Sequence, residues 1–420
     1  MLTTARSDGY VEAQGRAVHC AALRKASLAV LFLTVFIDLI GFGMVIPFLS
    51  FYAREYGASG IAVGAVVGIY SIMQFFFAPV WGRLSDRVGR RPVILISLTA
   101  SCTGYLLFAF SHSLAVLFAS RVIAGVGGAN IGTAQAYIAD STSPENRAKG
   151  MGLIGAAFGL GFILGPPMSA LLAELGTKHG MAGNLLPGLV AAGLSFTAFL
   201  IALSVLAESK PRDVVPRSGV PPQFDMRLWR EIAAHPLLAS LMTALFLTLL
   251  AVAGMEISVT LHGRDRFQFR QRDMAYLFLF MGVIVAGIQG GLIGRFVKRV
   301  GEVGVIVIGA ASFTIGFMLV PSVWRLWLLY VVAFLIAIGQ GLCYPALTAL
   351  LSKIAPENER GSLLGLATSV GSLARFLGPL LSGFLYDLAE APGAFYGGGA
   401  LMAVSLLIAL RMRRTSRYTA

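Results

Sequence analysis

Apolar residues run through this chain in blocks of twenty or so, beginning with Leu28–Ile37, and that block length constrains the fold more than any other feature. A helix rises about 1.5 Å per residue, so about 20 apolar residues cross the ~30 Å hydrocarbon layer of a bilayer. Twelve segments qualify: 28–52, 61–81, 92–110, 114–138, 151–173, 187–207, 236–261, 275–293, 303–321, 326–350, 362–386 and 394–410. Membrane strands are excluded because they would alternate apolar and polar residues. Of the 420 residues 57% are apolar and 13% charged, against about 45–50% and about 25% in soluble domains. So few charges cannot cover a soluble surface of this size. A soluble enzyme, a disordered chain and a secreted disulfide scaffold are excluded, and an all-α, multi-pass membrane protein is expected. Cys20, Cys102 and Cys343 are odd in number and far apart, which provides neither a disulfide framework nor a CxxC metal site. The first run is too long for a signal-peptide core and lacks an A-x-A site, so it is read as a retained helix.

Lys and Arg set the orientation. With the N-terminus inside, the inner segments carry 24 of the 33 Lys and Arg residues, the outer loops carry 7, and Arg121 and Arg375 lie within spans. Both ends are therefore expected in the cytoplasm. The sequence pI of about 10.0 follows from topology rather than from nucleic-acid binding. One segment dissents: 262–273 places Arg264, Arg266, Arg270 and Arg272 on the outer side, offset in part by Asp265 and Asp273.

The chain repeats itself. Residues 82–90 read GRLSDRVGR and 294–302 read GRFVKRVGE, five of nine positions agreeing at an offset of 212. SPEN at 143–146 returns as APEN at 355–358, and Gly165-Pro166 as Gly378-Pro379, offset by 213. Two six-helix halves in the same orientation are expected, 28–207 and 236–410. A polar joint (208–235) carrying Pro211, Pro216, Pro221 and Pro222 links them, and the tails are 1–27 and 411–420. Parallel halves place a substrate site between them near the midplane, opened by rocking.

Four charges interrupt the spans: Asp38, Arg121, Glu256 and Arg375. An uncompensated charge at the bilayer centre costs at least ~2.5–3.5 kcal/mol. Apolar surroundings favour a neutral carboxyl group over a carboxylate, which makes Asp38 and Glu256 candidates for reversible proton binding; an Asp–Arg pair that only ties helices together is the alternative. Asp38 lies about 15 Å into the first span and Arg121 about 10 Å into the fourth. Glu256 falls near the outer end of the seventh, where water would reach it, and Arg375 is central in the eleventh. The polar and aromatic residues Tyr70, Gln74, Asn130, Gln289, Gln340 and Tyr344, with Arg375, are candidate pocket residues, each also open to a role as an interhelical hydrogen-bond partner. No catalytic triad, metal cluster or phosphate loop is found, so no enzyme, metal or cofactor is expected. The glycine-rich run 125–132 lies within a membrane helix.

Residues 82–92, GRLSDRVGRRP, form a compact inner segment whose glycines permit tight turns and whose Asp86 adds nothing to an inner-positive signal. Its Gly82, Asp86, Arg87, Gly89, Arg90 and Arg91 resemble the signature between helices two and three of the major facilitator superfamily. Ser120-Arg121 with Gly125, Gly128 and Ala129 is similar to that family's helix-four motif. Gly152, Gly161, Gly165 and Pro166 match its helix-five antiporter motif, although Ser169-Ala170 stands where a glycine pair is usual. Small residues at that spacing also simply permit close helix packing.

The resemblance is closest to drug–proton antiporters of tetracycline-resistance type, carried by Phe36–Pro47 around Asp38, by Tyr137–Asp140 and by Gly263–Phe267. It implies that Asp38 and Arg121 take part in proton coupling; Glu256, as a second acid within a span, is expected to be an accessory proton or cation site. It implies that Asp86 meets the start of the eleventh span near Ser362, where a helix dipole favours an anion, and that Arg90 pairs with Asp140. Tetracycline exporters carry an Asp directly before a helix-three Tyr; here Gly104 precedes Tyr105, which argues against tetracycline. In the second half Lys298 and Glu302 replace Asp86 and Arg90. The expected function is proton-driven efflux of amphipathic or lipophilic small molecules. The alternatives are a metabolite importer or uniporter of the same superfamily, or a non-transporting scaffold or sensor. The implied partners are substrate, protons and the lipid bilayer, for a monomer in the bacterial inner membrane.

Overall fold

The computed structural model describes residues 30–45, 48–142, 144–209, 220–356 and 359–418. The tail 1–27, Pro47, Pro211 and Pro216 lie outside the described residues, as do Ser143 and Glu357-Asn358 of the repeated tetrapeptides. Helices α1 (Val30–Val45) and α2 (Phe48–Glu55) share the first apolar run, inclined at 42°. Next come α3 (Gly60–Val88), α4 (Arg90–Ala109), α5 (Leu114–Gly128), α6 (Ile131–Ser141), α7 (Pro144–Lys178) and α8 (Leu185–Val205). The C-terminal part holds α9 (Met226–Ala234), α10 (Pro236–Phe267), α11 (Gln271–Gly287), α12 (Ile293–Leu319), α13 (Leu326–Ile354) and α14 (Arg360–Tyr418). Among the described residues, eight stretches, or nine with α1 and α2 joined, are long and apolar enough to cross a membrane. Two are of double length, Gln271–Ser322 and Gly361–Arg414. The first is broken at Gly301, the second at Ala389-Glu390. With the 35-residue α7, this is consistent with the twelve crossings expected.

The signature 82–91 turns out to be helix rather than loop. α3 runs through Val88 and α4 starts at Arg90, so Gly89 alone reverses the chain, at φ 110° and ψ 161°. Only glycine adopts that region without strain. Gly301, 212 residues on, has φ 72° and ψ 169°, the same device at the repeated position. Gly82 is an ordinary helical residue. The segment RLSDRV contains no helix breaker, so the membrane helix simply continues past it. Likewise Gly263–Phe267 extends α10, and the run 125–132 is interrupted, with Ala129 and Asn130 standing between α5 and α6.

We call the ends inner and outer after the Lys/Arg asymmetry. Along the outer half of α3, Gly60, Gly64 and Gly68 face α14. A Cβ at Gly68 would lie 2.7 Å from the Phe376 carbonyl oxygen, and one at Gly60 2.5 Å from that of Gly383. The two backbones are therefore in direct contact, as small residues at four-residue spacing allow. Toward the inner end the helices part, and the joint enters between them. Gln223 donates its amide N–H to the Phe75 carbonyl (3.3 Å) and accepts from the Ser369 hydroxyl (3.3 Å). Phe224 packs edge-on against Phe75, and Pro222 lies beside Gly365. Helices α3 and α14 thus touch at their outer ends and are separated by the joint at their inner ends.

The two turning glycines differ in surroundings. Nothing stands within 4 Å of a Cβ at Gly301, whereas one at Gly89 would collide with the Glu208 carboxylate. Gly301→Ala should cost only the backbone strain, about 1–3 kcal/mol. Gly89→Ala should cost more, and Glu208→Ala should recover part of that difference. Thermal unfolding of the four purified variants checks this; equal losses at both glycines would refute the role given to Glu208.

Candidate functional site

Asp38 sits on α1, and α7 is pressed against the backbone that follows it. A Cβ at Gly161 would lie 2.7 Å from the Leu39 carbonyl oxygen, and one at Gly165 2.6 Å from the Met44 nitrogen. Gly161 and Gly165 of the antiporter motif thus set the depth of the Asp38 helix, while Gly152 lies in the inner part of α7, and Pro166 is accommodated within the helix. The Asp38 carboxylate accepts the Ser195 hydroxyl of α8 at 2.9 Å, with Ser101 of α4 nearby. Its partner is neutral.

Arg121 is 1% exposed. Its Nε donates to the Ser120 hydroxyl at 3.3 Å, and its guanidinium lies 5.9 Å and 5.5 Å from the ring centres of Tyr105 and Phe108. Such stacking compensates a cation only in part. Nη1 and Nη2 have no hydrogen-bond partner among the described residues. The Asp–Arg tie considered from sequence is therefore absent: Asp38 and Arg121 occupy the same helix cluster without bonding each other.

Tyr70 stands between the charged groups of the two parts of the chain, within electrostatic reach of Asp38, Arg121 and Arg375. It is packed against Phe42, ring centres 4.7 Å apart, and beside Gly128, where any side chain would overlap its hydroxyl. Gln74 donates to the Gly128 carbonyl at 2.9 Å and reaches the Tyr70 hydroxyl at 3.4 Å. Across from it, Glu256 of α10 and Arg375 of α14 act on each other electrostatically. Arg375 also donates to the Ser372 hydroxyl at 3.1 Å and feels Tyr344. Glu256, expected near the outer end of its span, lies eleven residues before the end of α10, which runs on through the charged segment Gly263–Phe267. Tyr344 is exposed near Arg375, and Gln289 is exposed in a π-helical turn at Ile288–Leu292. Gln289, Gln340 and Asn130 make no side-chain hydrogen bond among the described residues, and the structure does not draw them into the charged cluster.

At the inner end Arg90 joins two acids. It pairs with Asp86, donates to the Ser85 hydroxyl at 2.8 Å and bonds Asp140 through Nε at 3.1 Å. The Arg90–Asp140 pair is thus present. Asp86 faces Arg90, and Ser362 is exposed, so the contact with the start of α14 is not made with the inner ends apart. Arg87 is exposed; Arg91 donates to the Leu203 carbonyl at 2.6 Å. Sequence reasoning missed Glu208. Its carboxylate accepts the backbone N–H groups of Arg90 (2.8 Å) and Arg91 (3.1 Å), capping α4 where helix-dipole charge favours an acid. In the C-terminal part the bridge recurs with reversed sign, Glu302 pairing with Lys353.

Residues 31–304 and 290–419 match the sequence profile of the Major Facilitator Superfamily. The tetracycline resistance protein, class C, of Escherichia coli is 33% identical over 94% of this chain and 98% of that protein. The quinolone resistance protein NorA of Staphylococcus aureus (strain MSSA476) is 27% identical over 92% of this chain and 96% of that one. Among solved structures, the human organic anion transporter MFSD10 (TETRAN) matches with a TM-score of 0.66 at 26% identity, covering 92% of this chain and 99% of its own. A bacterial homologue of the lysosomal transporter Spinster, in an inward-facing and occupied conformation, matches with a TM-score of 0.74 over 94% and 97% of the two chains. At 15% identity it speaks for the fold alone. Profile, relatives and fold agree with the helix order and the Gly89 turn: this chain belongs to the Major Facilitator Superfamily.

Proposed function

We propose that the protein is a proton-coupled exporter of amphipathic or lipophilic small molecules, working by alternating access. Its halves, 28–207 and 236–410, rock about the midplane, and the joint 208–235 and both termini lie in the cytoplasm of a bacterial cell. The drug-resistance names of its relatives support export. The observation that carries proton coupling is the environment of Asp38. Half-buried near the midplane, it accepts the Ser195 hydroxyl rather than pairing with a cation, so its protonation is not locked by a fixed counter-charge. Arg121, which shares the neighbours Tyr70 and Tyr105 with Asp38 and has two unpartnered nitrogens among the described residues, is the basic residue of the coupling site. Glu256, facing Arg375, is an accessory acid of the other half. Tyr70, Gln74 and Tyr344 line the substrate's side of this cluster. The proton gradient is the driving force, and no cofactor is invoked.

Tetracycline remains disfavoured as substrate. A Cβ at Gly104 would lie 2.8 Å from the Ala124 Cβ, so α4 packs on α5 there, leaving no space for the Asp that tetracycline exporters carry.

Asp38→Asn should insert and fold normally yet lose at least about tenfold in proton-driven efflux, while substrate exchange without a gradient persists. Everted vesicles with an acidified lumen measure the first, and counterflow in proteoliposomes the second. Full efflux at equal expression would show that Asp38 is structural. Glu256→Gln should lower efflux only severalfold and alter its dependence on lumenal pH; an unchanged profile removes Glu256 from the coupling path.

A further inference from the structure

The four arginines of 262–273 are the part of the sequence that an inner-positive topology leaves unexplained. Resting on the alternating-access reading, we propose that this segment and Asp387 build an outer latch, made twice by the internal repeat, which holds the outer face shut and opens in each cycle.

Asp387 ends the first arm of α14. Its Oδ1 accepts the Gly60 N–H at 2.6 Å and its Oδ2 the Ile61 N–H at 2.8 Å. These are first-turn amides of α3, which have no partner within their own helix and whose dipole end favours a carboxylate. Gly60 must be glycine for this, since a Cβ there would lie 2.6 Å from the carboxylate oxygen. Tyr386 donates to Asp265 at 2.6 Å, so the segment 262–273 holds the residue beside Asp387 in place.

The repeat supplies a counterpart. At an offset of 213, Gly165-Pro166, Ser169, Leu172 and Glu174-Leu175 align with Gly378-Pro379, Ser382, Leu385 and Asp387-Leu388. Glu174 thus stands to α7 as Asp387 stands to α14. Gly60, at an offset of 212, aligns with Arg272, in the first turn of α11. Glu174 pairs with Lys178 of its own helix at 2.9 Å and lies 3.8 Å from Arg272. Each half therefore sends one acid, from the outer end of equivalent helices, to the start of an equivalent helix in the other half. The contacts differ in kind for a local reason. The first turn of α11 already carries an acid of its own, Asp273, which accepts the Arg270 N–H at 2.9 Å, and Glu174 faces the Arg272 side chain there. Between the two contacts, Arg264 of α10 acts on Glu55 at the end of α2, and its Nη1 is buried without a hydrogen-bond partner among the described residues. Arg264 and Arg272 serve closure of the outer face, which is why arginine stands there against the topological rule.

The two contacts are unequal. The Glu174–Arg272 pair is exposed, 36% and 58% by side chain, and such pairs contribute little. The Asp387 contact engages two helix-start amides and dominates. Spin labels on cysteines at Met181 and Leu388, exposed outer positions on the two halves, report outer opening by pulsed distance measurement in nanodiscs, in a variant without the native cysteines. One short distance is expected for the parent. Asp387→Asn and Asp387→Ala should raise the long-distance population about three- to tenfold. Glu174→Arg should raise it about twofold, and adding Arg272→Glu should return it to the parent value. Unchanged distances in both Asp387 variants overturn the latch; so does a loss of thermal stability without a change in distance, because Asp387 would then be an ordinary helix cap. No substrate or gradient is present, so failure of transport would sink the exporter reading and leave this result standing.

Discussion

Inside hydrocarbon no water is available to bond a free amide or carbonyl, so every span must satisfy its backbone within its own helix. Interruptions are tolerated only where something else takes over, and in this protein they mark the working parts. Gly89 and Gly301 turn the chain at the inner surface, where Glu208 caps the helix that follows Gly89. Ala129 and Asn130 break the fourth span beside Tyr70 and Gln74, with the Gln74 amide taking the Gly128 carbonyl left at the break. Regular helix thus surrounds the places where the chain departs from it.

Association of the helices then depends on close approach, because lipid tails are as apolar as the side chains and there is little hydrophobic drive between spans. Glycine permits that approach, and its placement carries functional content. Gly161 and Gly165 seat α7 on the residues just past Asp38, and Gly60, Gly64 and Gly68 seat α3 on α14. The first contact lies within one half and can persist through a cycle. The second crosses between halves at the outer end and must part when that end opens. The same physical device therefore acts as permanent packing in one place and as a reversible seal in another, distinguished only by which helices it joins.

Long apolar runs, the Lys/Arg asymmetry and the repeat of 212–213 residues made the class of fold readable from the chain, because each is a one-dimensional consequence of the bilayer. The four intramembrane charges were readable for the same reason. What was not readable depends on contacts distant in sequence. Glu208 is one acid at the edge of a polar joint until Gly89 brings the start of α4 to it. Gln223 is one amide among prolines until α3 and α14 separate enough to admit it. The charged GRDRF of 263–267 reads as a loop, yet it continues α10. The partners of Asp38 and Arg121 were also hidden, since proximity of an acid and a base on neighbouring helices does not decide that they bond.

The departures from symmetry follow one pattern. The repeat doubled every helix, but a transporter that must alternate gains nothing from two identical locks at one face. At the inner end the first half keeps Asp86, Arg90 and Asp140, while the second carries Lys298 with the reversed pair Glu302–Lys353. Lys298 at a helix N-terminus would oppose the dipole that an acid at the Asp86 position complements, while the acid that bonds a helix start at the inner end is Glu208, on α4. At the outer end Asp387 bonds the start of α3, while Glu174 faces the Arg272 side chain at the start of α11. A carboxylate of α14, Asp387, thus bonds the start of α3 at the outer end, while Asp86 of α3 is held by Arg90 with the inner ends apart. The two helices meet at one end while parting at the other. A single pair of helices then carries the competition between states, and modest contacts at its two ends suffice to set their populations.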